Sequence, residues 1–263
     1  MFKMMQRILL LLIVTAWLPV QAQVEAAESL GVMVDQSGLQ RMLSQRMVKA
    51  YAQILFDVDP EEAREQLEDA ATLFDRRLDE LTRQAPSQKV STSLQKVDEI
   101  WHDFRPVVQG PVNRDGLRAL LGLDDSLLKA ANDAVHDLQE HAGTAPARLV
   151  NTAGRQRMLS QRIAKLYMLA SGGVRSPELD QQLLSARYEF EGALAHLQQA
   201  PENTSEITRG LKEVERQWII FRTSFQLHED GEGKYIPYLV ARAAEKIFRQ
   251  MDQITAQYVQ VGQ

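Results

Sequence analysis

An all-α protein of two tandem up-down four-helix bundles, preceded by an N-terminal signal peptide, is what the sequence predicts. Three observations carry that prediction: a helix-favouring composition, apolar residues at helical spacing, and a long internal repeat. Of 263 residues, 44 % are hydrophobic and 25 % charged, too apolar for a disordered chain. Aromatic residues make up 6 %, with only 14 Gly and 9 Pro, which favours helix over sheet. The absence of Cys excludes a disulfide scaffold, a thiolate metal site, a Cys nucleophile and a lipidated N-terminal Cys. A net charge of −5 with both signs interspersed argues against nucleic acid as a partner.

Residues 1–22 read as a secretory address. Lys3 and Arg7 precede an apolar stretch from Ile8 to Leu18, and Val20-Gln21-Ala22 offers a peptidase site after Ala22. The apolar run before Pro19 is about 11–13 residues, against roughly 20 needed to span a bilayer. Cleavage and release into the periplasm is therefore expected, rather than retention as an anchor.

The remainder is one unit written twice. Gly38-Leu39-Gln40-Arg41-Met42-Leu43-Ser44-Gln45-Arg46 returns 116 residues later as Gly154-Arg155-Gln156-Arg157-Met158-Leu159-Ser160-Gln161-Arg162. Lys49 and Tyr51 return as Lys165 and Tyr167, and Leu67, Phe74, Leu78 and Leu81 as Leu183, Phe190, Leu194 and Leu197. After a small insertion, Leu94, Val97, Trp101, Phe104 and Arg105 return as Leu211, Val214, Trp218, Phe221 and Arg222. The predicted units are residues 23–143 and 144–263.

Each copy divides into four amphipathic helices. Leu43/Met47/Ala50/Ile54 and Leu159/Ile163/Leu166/Ala170 form apolar stripes at helical spacing. Asp59-Pro60-Glu61-Glu62 and Ser176-Pro177-Glu178 each supply an N-cap, a Pro at the first helical position and early acid. Gln-Ala-Pro closes the second helix of each copy, and Gly110-Pro111 the third helix of the first. Gly143-Thr144-Ala145-Pro146 separates the copies, and a Gly231-Glu232-Gly233 loop with Pro237 precedes the last helix. Helices of about 25 residues joined by short loops give an up-down-up-down bundle.

The repeated motif carries the chemistry. With the Leu43/Met47/Ala50/Ile54 stripe facing the bundle core, Arg41 falls almost opposite, among Ser37, Gly38, Ser44, Gln45, Val48 and Ala52. The second copy puts Ala153, Gly154, Arg157, Ser160, Gln161 and Ala164 there. Small residues on that face predict a second helix packed closely against it, with an Arg in the seam. Two such guanidinium groups would repel, and neither copy places an acid on that face. A small planar oxyanion between Arg41 and Arg157, or between symmetry mates of each in a homodimer, would relieve this repulsion. The other resolution is pairing with acids on other helices, or extension of the side chains to water.

Asn151-Thr152-Ala153-Gly154-Arg155-Gln156-Arg157-Met158-Leu159-Ser160-Gln161-Arg162 resembles the signature of PilJ-type sensory domains, the N-terminal periplasmic domains of type IV pilus chemoreceptors. These are related to NarX-like nitrate sensors. The resemblance spans nearly all of the chain after residue 22, as two copies. It implies a four-helix sensor for chemotaxis or related signal transduction, with the ligand segment on the first helix. In the nitrate sensors an Arg of that helix and its mate from a second subunit grip nitrate, and Arg41 and Arg157 match that Arg. The resemblance thus implies a site of Arg41, Arg157, Gly38, Gly154, Ser44, Ser160, Gln45 and Gln161 for nitrate, nitrite or a similar anion. Here the motif reads Arg-Met-Leu-Ser-Gln-Arg, where the nitrate sensors tend to read Arg-Met-Gln-Ser-Tyr-Arg. The first copy begins Val34-Asp35-Gln36-Ser37-Gly38 rather than Asn-Thr-Ala-Gly, so Asp35 is expected to weaken anion binding there.

No enzyme is predicted, since no phosphate loop, nucleophile elbow or zinc spacing occurs. Glu99-x-x-His102 has di-iron spacing, but the second copy has Arg216 and Ile219 at those positions, so no metal or cofactor is expected. The expected function is binding of a small anion and signalling through a separate membrane receptor or sensor kinase. The alternative is a helical protein–protein interaction module that uses the Gly/Ser/Ala face and takes no small-molecule ligand.

Overall fold

The computed structural model describes residues 20–229 and 236–261, with side chains from residue 30 onward except 145–146 and 225–229. Eight α-helices are described: α1 (Val20–Leu55), α2 (Pro60–Arg83), α3 (Gln88–Gln109), α4 (Arg114–Ala142), α5 (Ala145–Ser171), α6 (Pro177–Gln198), α7 (Ser205–Glu229) and α8 (Pro237–Val261). The protein is all-α, as predicted, and no strand occurs among the described residues. Most of the expected signal segment, residues 1–19, lies outside the described residues, as does the Gly231-Glu232-Gly233 loop. Residues 20–22 open α1.

Helix boundaries follow local chemistry. Ser87, Asn113, Thr144 and Ser176 each accept a hydrogen bond from the backbone N–H three residues on, satisfying a donor that the first turn leaves free. Gly143 stops α4 at φ 65°, a left-handed conformation that glycine adopts without strain. Asp59 departs from its expected role. It is left-handed at φ 52° and makes no side-chain cap, so α2 starts on Pro60 and the acids Glu61 and Glu62 alone.

Helices α1–α4 and α5–α8 form antiparallel sets in which α1 packs on α2 and α4, and α5 on α6 and α8. The longest seam joins the sets, with α1 lying against α5; α1 also touches α8, and α5 touches α4. The buried apolar residues accordingly form one continuous cluster through both copies. Duplicated side-chain bonds show how faithfully the repeat is folded. Gln40 Nε2 donates to the Phe74 carbonyl and Gln156 Nε2 to the Phe190 carbonyl, each at 3.1 Å. Trp101 stacks on Phe74 and Trp218 on Phe190, both with ring centroids 4.3 Å apart. The indole N–H groups donate to Asp75 and Glu191, again corresponding positions. These aromatics are buried in the core.

The consequence for function is the central position of α1 and α5. Each has its apolar stripe inside its own set and its Gly/Ser/Ala face against the other, so both are buried on two faces.

Candidate functional site

On α1, Arg41, Gln45 and Lys49 stand four residues apart and form a polar ladder; Arg157, Gln161 and Lys165 repeat it on α5. All six are buried. The two ladders face each other across the seam, and close approach is possible because Gly38 and Gly154 sit there. A Cβ on Gly38 would lie 3.5 Å from the Nη2 atoms of both Arg41 and Arg157. One on Gly154 would lie 3.1 Å from Arg157 Nη2 and 3.7 Å from Arg41 Nη2. The two guanidinium groups therefore converge on one place within one chain, each about 1 % exposed or less.

Their partners differ. Arg41 donates Nη1 to Asn132 Oδ1 on α4 at 3.1 Å, and Nη2 to Asn151 Oδ1 on α5 at 2.8 Å. Arg157 donates Nη1 to Asp252 Oδ1 on α8 and Nη2 to Asp35 Oδ1 on α1, both at 2.5 Å. The geometry is reciprocal: each Arg bonds one side chain within its own copy and one across the seam, where its Nη2 also reaches that residue's carbonyl at 3.4 Å. Electrostatically the halves are opposite, with two neutral amides around Arg41 and two carboxylates around Arg157. For Arg157 the structure has the other resolution, pairing with acids on other helices, since Asp35 on α1 and Asp252 on α8 both reach it; Arg41 has no such pair among the described residues. Asp35 neutralises the Arg of the other copy, not that of its own.

Burial is the main cause that lowers the Arg41 pKa to about 9, with Arg155 and Arg157 adding to it and Glu189 opposing it. Arg41 remains charged at neutral pH, but holding that charge is costly. The Nε–H groups of both Arg41 and Arg157 are buried without a hydrogen-bond partner.

Below the arginines, two buried ion pairs cross between copies. Lys49 on α1 reaches Glu245 on α8 at 2.6 Å, and Lys165 on α5 pairs with Asp124 on α4. Glu245 also takes Arg46 at 2.9 Å, whereas in the other half the work is split, Asp125 taking Arg162 at 3.4 Å. Burial alone would raise the Glu245 carboxyl, but Lys49 and Arg46 outweigh it and hold it below its usual range.

The other expected site residues are placed as follows. Ser44 and Ser160 are buried one turn on and donate their hydroxyls to the carbonyls of Arg41 and Arg157, at 2.9 and 2.8 Å. Gln45 donates to Asp124 at 2.7 Å and Gln161 to the Ala244 carbonyl at 3.4 Å, leaving both Oε1 atoms buried and unpartnered. Sequence reasoning missed Asn132, Asp252, Asp124 and Glu245. They lie on α4 and α8, outside the matched repeat series, and no local signal pointed to them. Lys49 and Lys165 were visible as repeated residues, and their spacing of four from Gln45 and Gln161 was the available clue. Glu99 and His102 are exposed on α3, and among the described residues no group of three or more His, Cys, Asp or Glu could hold a metal ion.

Among curated proteins, none matches the chain. A family model described as the type IV pili methyl-accepting chemotaxis transducer N-terminal domain, PilJ, matches residues 22–133 and 143–233, one segment in each copy. The segments include both polar ladders and most of both helical sets. With most of its length matched, the chain belongs to the PilJ family of chemotaxis-transducer N-terminal domains, a sensory family.

Proposed function

We propose that the protein is an exported, periplasmic sensor-type module that binds one small planar oxyanion, with nitrate and nitrite the first candidates, at the α1–α5 seam. Occupancy is passed to a separate membrane partner, either a chemoreceptor or a sensor kinase. No described helix is long and apolar enough to cross a membrane. The observation that carries the reading is the convergence of two buried guanidinium groups beside two glycines, one of them ringed only by neutral amides. A buried cation with no directly bonded carboxylate among the described residues, offset only by the more distant Glu189, favours an anion. Charge-assisted bonds to guanidinium contribute about 1.5–3 kcal/mol each. A methyl at Gly154 would crowd Arg157 Nη2 at 3.1 Å, and Ser44 and Ser160 bond to the carbonyls of the two arginines one turn on, with Gln45 and Gln161 beside them.

The alternative, in which the Gly/Ser/Ala face docks helices of another protein, has less to draw on, because α5 of the same chain already covers that face. A homodimeric seam is likewise unnecessary, since the chain brings its own two arginines together.

Titration calorimetry tests the proposal. Nitrate or nitrite should bind saturably to the wild-type chain, and Arg41→Ala and Arg157→Ala should each abolish binding. Binding that persists without both arginines, or absence of binding by any small anion, would overturn it.

A further inference from the structure

On the Arg41 side of the seam, the groove between α4 and α5 opens into a pocket of about 190 Å³ lined by Lys129, Arg155, Arg162, Asn132 and Asp125, with Leu128 and Met158 as its apolar wall. Three cations face one carboxylate there. Two of the cations have flanking acids outside the lining: Lys129 pairs with Asp133 at 2.6 Å, and Arg155 Nε pairs with Glu189. Asp125 is shared between Arg162 at 3.4 Å and Gln182 at 3.0 Å, and Arg162 Nε is buried with no hydrogen-bond partner. The key contact is at Asn132. Its Oδ1 accepts from Arg155 Nη1 in the pocket and from Arg41 Nη1 in the seam, both at 3.1 Å. One neutral amide oxygen thus joins two guanidinium groups, one open to solvent and one buried.

The other half of the chain does not repeat this arrangement. Asp252 stands on α8 where Asn132 stands on α4, and it pairs with Arg157. Leu39 occupies the position of Arg155, and Arg46, the counterpart of Arg162, is taken up by Glu245 at 2.9 Å and by the Phe248 ring at 5.2 Å. The two copies therefore differ in the acceptors of the central arginines, amides for Arg41 and carboxylates for Arg157.

We propose that the α4–α5 pocket is a second, outer anion site that feeds Arg41, and that Asn132 is the residue that determines whether an anion is admitted. The inference rests on the seam reading above. An oxyanion entering the pocket is a stronger acceptor for Arg155 than the neutral Asn132 oxygen, since hydrogen bonds to an ionised acceptor are roughly twice as strong as neutral ones. Displacing Asn132 from Arg155 places the anion one residue from Arg41. A carboxylate at position 132 would instead satisfy both guanidinium groups itself and repel the ligand; in the opposite half Asp252 satisfies Arg157, the single guanidinium there, since Leu39 replaces the second.

The test combines nitrate calorimetry with crystals soaked in iodide, whose anomalous signal locates it. Iodide is expected in the pocket against Arg155 and Arg162. Lys129→Gln with Arg155→Gln should weaken nitrate binding at least tenfold. Asn132→Asp, which changes no shape, should abolish nitrate binding while raising the melting temperature, a combination that a misfolded variant would not show. Nitrate binding that is lost in Arg41→Ala but unchanged in the Lys129/Arg155 and Asn132→Asp variants, with no iodide in the pocket, overturns the outer site and leaves the seam. Loss in the Lys129/Arg155 variant with Arg41→Ala still binding supports the pocket and overturns the seam. No nitrate bound and no iodide in the pocket overturns both.

Discussion

Lys165→Ala should destabilise the protein by about 3–5 kcal/mol, the cost typical of removing one partner from a buried ion pair. The ammonium group and its partner Asp124 are 1 % and 4 % exposed, so the truncation leaves a carboxylate in the interior with only the Gln45 amide to solvate it. Stabilities of single domains are commonly about 5–15 kcal/mol, so this is a large share of the total. Urea denaturation of the two chains measures it directly. Replacing both partners, as Lys165→Met with Asp124→Leu, should recover most of the loss, because the penalty comes from the orphaned charge and not from the absence of an attraction. By contrast Lys89, which pairs with Asp137 and Glu140 in water, should tolerate truncation with little effect. The difference locates the chain's electrostatic investment at the junction between copies.

Asp35→Asn combined with Asp252→Asn should tighten nitrate binding by more than tenfold. These carboxylates are the built-in counter-ions of Arg157, and an incoming anion must approach against them. At an effective dielectric near 20, two unit charges about 8 Å apart interact by about 2 kcal/mol, so removing even one such repulsion exceeds a tenfold change. The variant makes the Arg157 half resemble the Arg41 half, with amides at both acceptor positions. In the absence of anion it should melt lower than the wild type, because Arg157 loses its compensation. Adding nitrate should then raise its melting temperature by more than it raises that of the wild type, as binding to the folded state alone requires. Thermal melts with and without nitrate, alongside calorimetry, measure both effects.

These two expectations concern residues of unequal legibility in the sequence. The all-α architecture was fully readable, because composition, periodicity and the repeat from Gly38 to Arg222 all pointed one way. The placement of Arg41 and Arg157 was readable from a helical wheel, since Gly and Ser on the face opposite the core stripe imply a close second helix. What filled that seam was not. Asp252 and Asn132 lie on α8 and α4, outside the repeated motif, and their contact with the arginines depends on how the last helix of each copy docks. Asp35 was noticed as a departure from the motif but assigned to its own copy, because a linear comparison cannot show that a side chain crosses to Arg157. Asp59 looked like a helix cap by its position before Pro60, yet the turn from Phe56 to Asp59 takes it into a left-handed conformation where its carboxylate cannot reach the first turn. In each case local chemistry was legible and long-range geometry was not.

Duplication followed by divergence explains the whole arrangement. Two copies of one helical unit supply two arginines to one seam. Asp35 and Asp252 give Arg157 carboxylate partners, while Arg41 has amides. The measurement that tests this most directly is equilibrium dialysis against labelled nitrate, with the mass of the protein determined by sedimentation in the same buffer. The account predicts one tightly held nitrate per chain on a monomer, lost in Arg41→Ala. One tight nitrate per two chains, or undiminished tight binding by Arg41→Ala, would contradict it.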